Sequence, residues 1–172
     1  VTPVGELPSL SESISGPDRW DLIDGLSAET VERPAVASGQ RILRLVAAGA
    51  DDRHALGARF DGLAPSPSYR AIAWVKAEPG VRVMVEARDG KSSNYGVARF
   101  DLGARSVVNS TGDIIASGVE AAADGWVKLW VDLRSSDEQL FLTIGLLEGP
   151  SNQHVFKPAG QSVFFGGFEI SP

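Results

Sequence analysis

Gly125–Leu133, GWVKLWVDL, decides the fold, because Val127, Leu129, Val131 and Leu133 alternate there with Trp126, Lys128, Trp130 and Asp132. A period of two residues is that of a β-strand, so one side of the segment is aliphatic and the other carries both indoles. The aliphatic side is read as facing a core. The opposite side sets large rings around a cation, an arrangement suited to stacking on a flat partner such as a sugar ring. The plainer alternative is that a loop or a second layer covers Trp126 and Trp130.

Working outward, runs of strand type recur at short intervals: 42–47, 55–60, 69–76, 81–88, 95–102, 107–110, 114–119, 126–133, 140–147 and 163–170. Turn residues separate them, including Pro65–Ser68, Glu78-Pro79-Gly80, Asp89-Gly90, Ser110–Asp113, Asp124-Gly125 and Gly149-Pro150. No segment holds a helical period over three turns, and Asp132–Gln139 offers one short turn of helix at most. About ten short strands at this spacing predict an all-β sandwich or barrel. Val1–Pro17, with three prolines and four serines, is read as a linker or an edge-wrapping segment, and residues 18–172 as one domain.

The same alternation assigns faces elsewhere. Val81, Val83, Val85 and Ala87 form an aliphatic stripe opposite Arg82, Met84, Glu86 and Arg88. Arg70, Ile72, Trp74 and Lys76 stand opposite Tyr69, Ala71, Ala73 and Val75. If these strands and Trp126–Leu133 share a sheet, its outer face gathers Trp74, Trp126, Trp130, Arg82, Glu86, Arg88 and Lys128. Rings of this kind meet the C–H face of a sugar while Arg, Lys and Glu bond its hydroxyls. The alternative is that charged residues are simply how a sheet meets water.

Composition narrows the partners. The 172 residues carry a net charge of −6, with 22 acidic against 16 basic side chains, which works against a broad phosphate-binding surface and hence against nucleic acid. No apolar run approaches the ~20 residues that cross a bilayer as a helix, so membrane insertion is not expected. Cysteine is absent, which removes disulfides and thiolate metal sites. The chain starts at Val1 without the halves of a signal peptide, as expected of a processed product or an excised domain.

Catalytic patterns are missing. His54 and His154 are the sole imidazoles, and neither zinc-ligand spacing nor a Gly-x-Ser-x-Gly elbow occurs. The paired carboxylates of a glycosidase strand are absent too. The nearest pairs, Glu86 with Asp89 and Asp137 with Glu138, sit at turns where acids are expected to be solvated. SNQHVFKPAGQ resembles elements of polysaccharide lyases, but those elements lie on separate strands there and are fused in one stretch here. In GKSSNYG, Gly90–Gly96, Tyr95 is a candidate rim aromatic and Asn94 a candidate hydroxyl partner. Asn152, Gln153 and His154 form a similar polar loop. The plainer reading of both is a strand connection.

Several of these strings carry a resemblance. YRAIAWVKAEPG at 69–80, FDLGARSVV at 100–108, GDIIASGVE at 112–120, DGWVKLWVDL at 124–133 and the closing VFFGGFEISP resemble jelly-roll carbohydrate-binding modules and related domains of bacterial and phage surface proteins. The opening is also similar, with LPSLSES, then Trp20, then SGQRILRLVA. The resemblance covers most of the chain from Leu7 and implies a jelly-roll sandwich of two antiparallel sheets.

It further implies a noncatalytic module for a polysaccharide or oligosaccharide within a larger secreted or cell-surface protein. Trp126, Trp130 and Trp74 would stack, with Arg82, Glu86, Arg88, Lys128, Tyr95 and Asn94 orienting hydroxyls. No cofactor is required. A structural calcium held by Glu12 and Glu169 is implied as well, although Pro8-Ser9-Leu10 and Gly166-Gly167 depart from the usual pattern. The alternatives are a structural or oligomerising domain of an adhesin or phage tail, and then a polysaccharide hydrolase or lyase.

Overall fold

The computed structural model describes residues 19–23, 26–31, 42–47, 52–64, 66–76, 80–91, 93–122, 125–148, 155–156 and 162–171. Fourteen strands run through them: β1 (Arg19–Ile23), β2 (Leu26–Val31), β3 (Ile42–Ala47), β4 (Asp52–Arg53), β5 (Ala55–Phe60), β6 (Ser66–Lys76) and β7 (Arg82–Asp89), then β8 (Tyr95–Asp101), β9 (Ser106–Gly112), β10 (Ala116–Ala121), β11 (Trp126–Ser135), β12 (Leu140–Leu146), β13 (Val155–Phe156) and β14 (Ser162–Ser171). The ten expected strands are all present, and β1, β2, β4 and β13 are added. The turn of helix expected within 132–139 is instead the end of β11 followed by a bend.

Two six-stranded antiparallel sheets form a jelly-roll sandwich. One is ordered β10-β11-β6-β14-β3-β2 and the other β1-β5-β12-β7-β8-β9, with β4 and β13 as a separate ribbon. The first will be called the indole sheet and the second the arginine sheet, after their outward residues. Alternation builds the core between them. Val127, Leu129, Val131 and Leu133 of β11 and Ala71, Ala73 and Val75 of β6 meet Val83, Val85 and Ala87 of β7 and Leu140, Leu142, Ile144 and Leu146 of β12. Burying each large aliphatic or aromatic side chain stabilises the sandwich by roughly 1.5–3 kcal/mol.

In β14 the alternation breaks for a structural reason. A bulge shifts the pairing with β6 between Phe165 and Gly167, and Gly167 takes φ 122°, a value that suits glycine. The extra residue turns both Phe165 and Phe168 inward, where their rings meet edge to face at 5.0 Å. The Gly-Gly pair of FFGGF is thus the hinge that places two aromatics in one core.

The expected grouping of three strands in one sheet is corrected. β6 and β11 pair with each other, but β7 lies in the opposite sheet, between β12 and β8. The aliphatic stripes of β7 and β11 face each other across the core, so their outward residues point away from one another. The N-terminal 17 residues, Glu12 among them, and the loop containing Asn152, Gln153 and His154 lie outside the described residues.

Candidate functional site: two opposed sheet faces

The arginine sheet brings together residues from four adjacent strands. Register sets Arg59 of β5 opposite Phe141 of β12, Phe141 opposite Arg88 of β7, and Arg88 opposite Tyr95 of β8. Directly opposed residues share a face of a sheet, so Arg59, Phe141, Arg88 and Tyr95 form one row across the strands. At ~4.8 Å per strand the row spans about 14 Å, the scale of a short oligosaccharide. Tyr95, 43% exposed, is among the large apolar side chains most open to solvent.

The next row is made of short side chains. Gly57, Thr143, Glu86, Val97 and Thr111 follow one another across the same strands. Gly57 has no side chain, Thr143 and Val97 are buried, and Glu86 is half-buried. In the row after that, Met84 pairs with Arg99 and packs with Val97 and Leu147 in a small buried cluster.

The guanidinium groups are held in place. The Arg88 guanidinium lies over the Phe141 ring at 4.1 Å, Arg59 pairs with Asp61 at 3.0 Å, and Arg82 with Asp101 at 3.4 Å. Arg99 Nη1 donates to Asn109 Oδ1 at 3.0 Å, and Gln139 Nε2 to Asp61 Oδ1 at 3.1 Å. Such anchoring presents the planar donor forks to a ligand with little rotamer entropy left to lose.

At the Tyr95 end sits a carboxylate that sequence reading left in solvent. Asp89 follows Val83, Val85 and Ala87 in inward parity and is 0% exposed. Its Oδ1 accepts from the amides of Ser93 at 2.8 Å and Asn94 at 3.4 Å. Its Oδ2 accepts from Asn94 Nδ2 at 2.8 Å, the Ser136 hydroxyl at 2.9 Å and the Ser136 amide at 3.3 Å. Burial opposes its charge, but these donors outweigh burial and lower the carboxyl from 3.8 to about 2. The Asn94 side-chain amide is therefore bonded to Asp89 through Nδ2.

The indole sheet presents a different face. Trp74 and Trp126 are 8% and 5% exposed, closed into a small cluster with Ile72, Ala122 and Phe164, so the expectation that they stand open on a wet face is corrected. A side chain at Gly166, in the bulge of β14, would stand 3.3 Å from the Trp126 ring and 3.3 Å from the Trp74 Cβ, so the bare glycine lets Trp126 close over the strand. The Lys128 ammonium caps the Trp74 ring at 4.7 Å. Trp130 is half-buried, laid across Gly118 on one side, with the Arg70 guanidinium 3.9 Å from its centroid. Arg70 is itself fixed by Asp132 through bonds of 2.8 and 3.0 Å, and that bond raises its pKa. The rings that sequence reading offered for stacking are already stacked within the protein.

Among the predicted site residues, Arg82, Glu86, Arg88 and Tyr95 share the arginine face, and Trp74, Trp126, Trp130 and Lys128 share the opposite one. Arg59, Phe141 and Thr143 were missed. Their signal is the same alternation, since LFLTIGL and ALGARF turn Phe141, Thr143, Gly57 and Arg59 outward. Glu169 is half-buried on β14 beside Ile72, and among the described residues no group of three His, Cys, Asp or Glu side chains is placed to hold a metal.

No protein-family model and no curated protein matches the sequence. Solved structures match by fold. The enzymatically active domain of tailspike protein 4 of bacteriophage CBA120 aligns with a TM-score of 0.52 at 9% identity, over 96% of this chain and 21% of that one. A family 61 carbohydrate-binding module in complex with β-1,4-galactotriose aligns at 0.48 and 12% identity, over 91% of this chain and 90% of that one. The N-terminal module pair of a Clostridium thermocellum endo-1,4-β-D-xylanase, complexed with xylohexaose, aligns at 0.47 and 13%, over 89% of this chain and 26% of that one.

Proposed function

We propose that this domain is a noncatalytic carbohydrate-binding module of a larger secreted or cell-surface protein, and that it takes an oligosaccharide segment on the outer face of the arginine sheet. The observation that carries this reading is the row Arg59, Phe141, Arg88 and Tyr95, with Tyr95 exposed at its end and Glu86 half-buried in the row beside it. Tyr95 offers a ring to a sugar's C–H face, the arginines donate to ring and hydroxyl oxygens, and Glu86 accepts from hydroxyls. The fold is that of a scaffold with many functions, so the side chains and not the architecture support the assignment. Trp130 and Lys128 have no part in it, because they lie on the opposite face of the sandwich from Tyr95. A calcium ion at Glu12 and Glu169 remains part of the proposal, to be tested by calcium titration with and without Glu169→Gln.

The test is a panel of neutral and acidic polysaccharides with four proteins. The unaltered chain and Trp130→Ala should bind one class alike, while Tyr95→Ala and Arg88→Ala should each lose about tenfold or more in affinity, as expected for a lost aromatic platform or a charge-assisted hydrogen bond. Equal binding by all four would remove the arginine face from consideration. Release of reducing sugar would replace the module with an enzyme.

A second reading, a structural domain that contacts protein, is favoured by one feature. The edge strands β9 and β10 are largely exposed, with Ile115 59% exposed between them. Sedimentation that rises with protein concentration and ignores polysaccharide would support it.

A further inference from the structure

We infer that Asp89 is the positioning residue of the saccharide face: it ties the segment ahead of Tyr95 to the bend after β11 and so fixes where the Tyr95 ring stands. The inference rests on the proposed saccharide reading of the arginine face.

The geometry is specific to this role. Asp89 ends β7, and its five accepted hydrogen bonds come from two separate segments, Ser93–Asn94 before β8 and Ser136 after β11. Ser93–Asn94 lies in the connection from β7 to β8 within the arginine sheet, and Ser136 in the bend that carries the chain from β11 of the indole sheet to β12 of the arginine sheet. One buried carboxylate therefore ties that crossover to the segment leading into Tyr95. The backbone adds two more ties, from the Asp89 amide to Asn94 O at 3.1 Å and from the Gly90 amide to Gln139 O at 3.0 Å.

Tyr95 is the residue directly after this tether. Its amide donates to Asp113 Oδ2 at 2.9 Å, and its carbonyl accepts from the Asp113 amide at 2.8 Å. Two carboxylates thus hold the two sides of one exposed aromatic: Asp113 fixes its backbone, and Asp89 fixes the chain leading into it. A ring carried on backbone fixed from both sides pays less conformational entropy on meeting a ligand, which is how a residue that touches no ligand sets affinity.

Asp89→Asn keeps the shape of the side chain and removes an acceptor oxygen. The variant should retain a cooperative thermal transition while the amides that face the lost oxygen, read at Ser93 and Asn94 for Oδ1 and at Ser136 for Oδ2, exchange hydrogen faster by about tenfold or more in one segment or the other. The Tyr95 amide, bonded to Asp113, serves as the internal control and should change less. Binding of the best polysaccharide from the panel should weaken by about fivefold or more in Asp89→Asn, and that loss should vanish when the substitution is made in Tyr95→Ala.

An equal loss in both backgrounds would mean that Asp89 acts through the fold as a whole and would overturn the inference. Unchanged exchange at all three amides, Ser93, Asn94 and Ser136, would overturn it independently of any ligand. If Asp89→Asn does not fold, Ser136→Ala, which removes one donor from the same carboxylate, carries both measurements with the same expected directions. Failure of the unaltered chain to bind any polysaccharide would end the saccharide reading and the inference with it, a result told apart from a failed tether by the exchange arm.

Discussion

At the scale of single residues, Asp89 decides how the protein responds to acid. Its carboxyl ionises at about 2 in the folded chain and near 3.8 when free, so its hydrogen bonds stabilise the protein fully above about pH 4. That stabilisation disappears as pH falls from about 4 toward 2, where the folded state must also take up the proton. At ~1.4 kcal/mol per pH unit the gap is worth roughly 2 kcal/mol. Urea unfolding at a series of pH values should show the unaltered chain losing about that much more than Asp89→Asn between pH 5 and pH 2. Parallel curves for the two proteins would mean the carboxylate contributes nothing specific. The role was only half legible in the sequence. Parity with Val83, Val85 and Ala87 points Asp89 inward, whereas Asp-Gly is also a turn signature, and turn chemistry suggested solvent. What settles the matter is Ser136, 47 residues away, which no local pattern connects to Asp89.

At the scale of elements, alternation read the strands well and misread what lies on their outer sides. Val127 to Leu133 and Val83 to Ala87 are buried as the period of two requires. The same period placed Trp74, Trp126 and Trp130 outward, but a position on the outer face does not fix exposure. The glycines at 118 and 166, on neighbouring strands, leave room for the rings to lie down on the sheet. Nothing in GWVKLWVDL reveals those neighbours, because they come from β10 and β14. The consequence is that Trp74 and Trp126 are a second small core. Trp126→Ala should cost about 3–5 kcal/mol of stability, the usual range for deleting a buried tryptophan. Below its own melting temperature the variant should still bind polysaccharide with the affinity of the unaltered chain. Loss of binding without loss of stability would return the indole face to the ligand. Gly112 gives a companion case at the arginine face. It has φ 71°, and a side chain there would stand 2.3 Å from the Tyr95 carbonyl oxygen. Gly112→Ala should cost about 1–3 kcal/mol, measured by thermal unfolding, and should weaken polysaccharide binding because the clash moves the strand that carries Tyr95.

At the scale of the whole molecule, the partition of strands between two sheets sets the number of ligand sites. Alternation cannot reveal that partition, because it assigns the sides of each strand and says nothing of which strand lies beside it. The five residues between β6 and β7 are compatible with a hairpin as much as with the crossover from one sheet to the other, and the choice is made by pairing with β8, the next strand, and with β12, distant in sequence. Once β7 is in the second sheet, the candidate residues that looked like one surface become two surfaces on opposite sides of the sandwich. A saccharide lying on one cannot reach the other, since two packed sheets are about 10 Å apart and each carries its own outer layer of side chains. The rings of the indole face are covered by Lys128, Arg70 and one another, which leaves the arginine face, among the described residues, as the surface with an open aromatic. Calorimetric titration with an oligosaccharide of the recognised class should therefore give one site per 18.2 kDa chain. Arg88→Ala should lower its affinity without creating or removing a second site, and Trp130→Ala should leave both affinity and stoichiometry unchanged. Two equivalent sites would mean that both faces bind. A stoichiometry of one ligand for two chains would mean that the exposed β9 and β10 edges pair copies of the domain around a shared ligand, since an unpaired edge is a ready template for another strand.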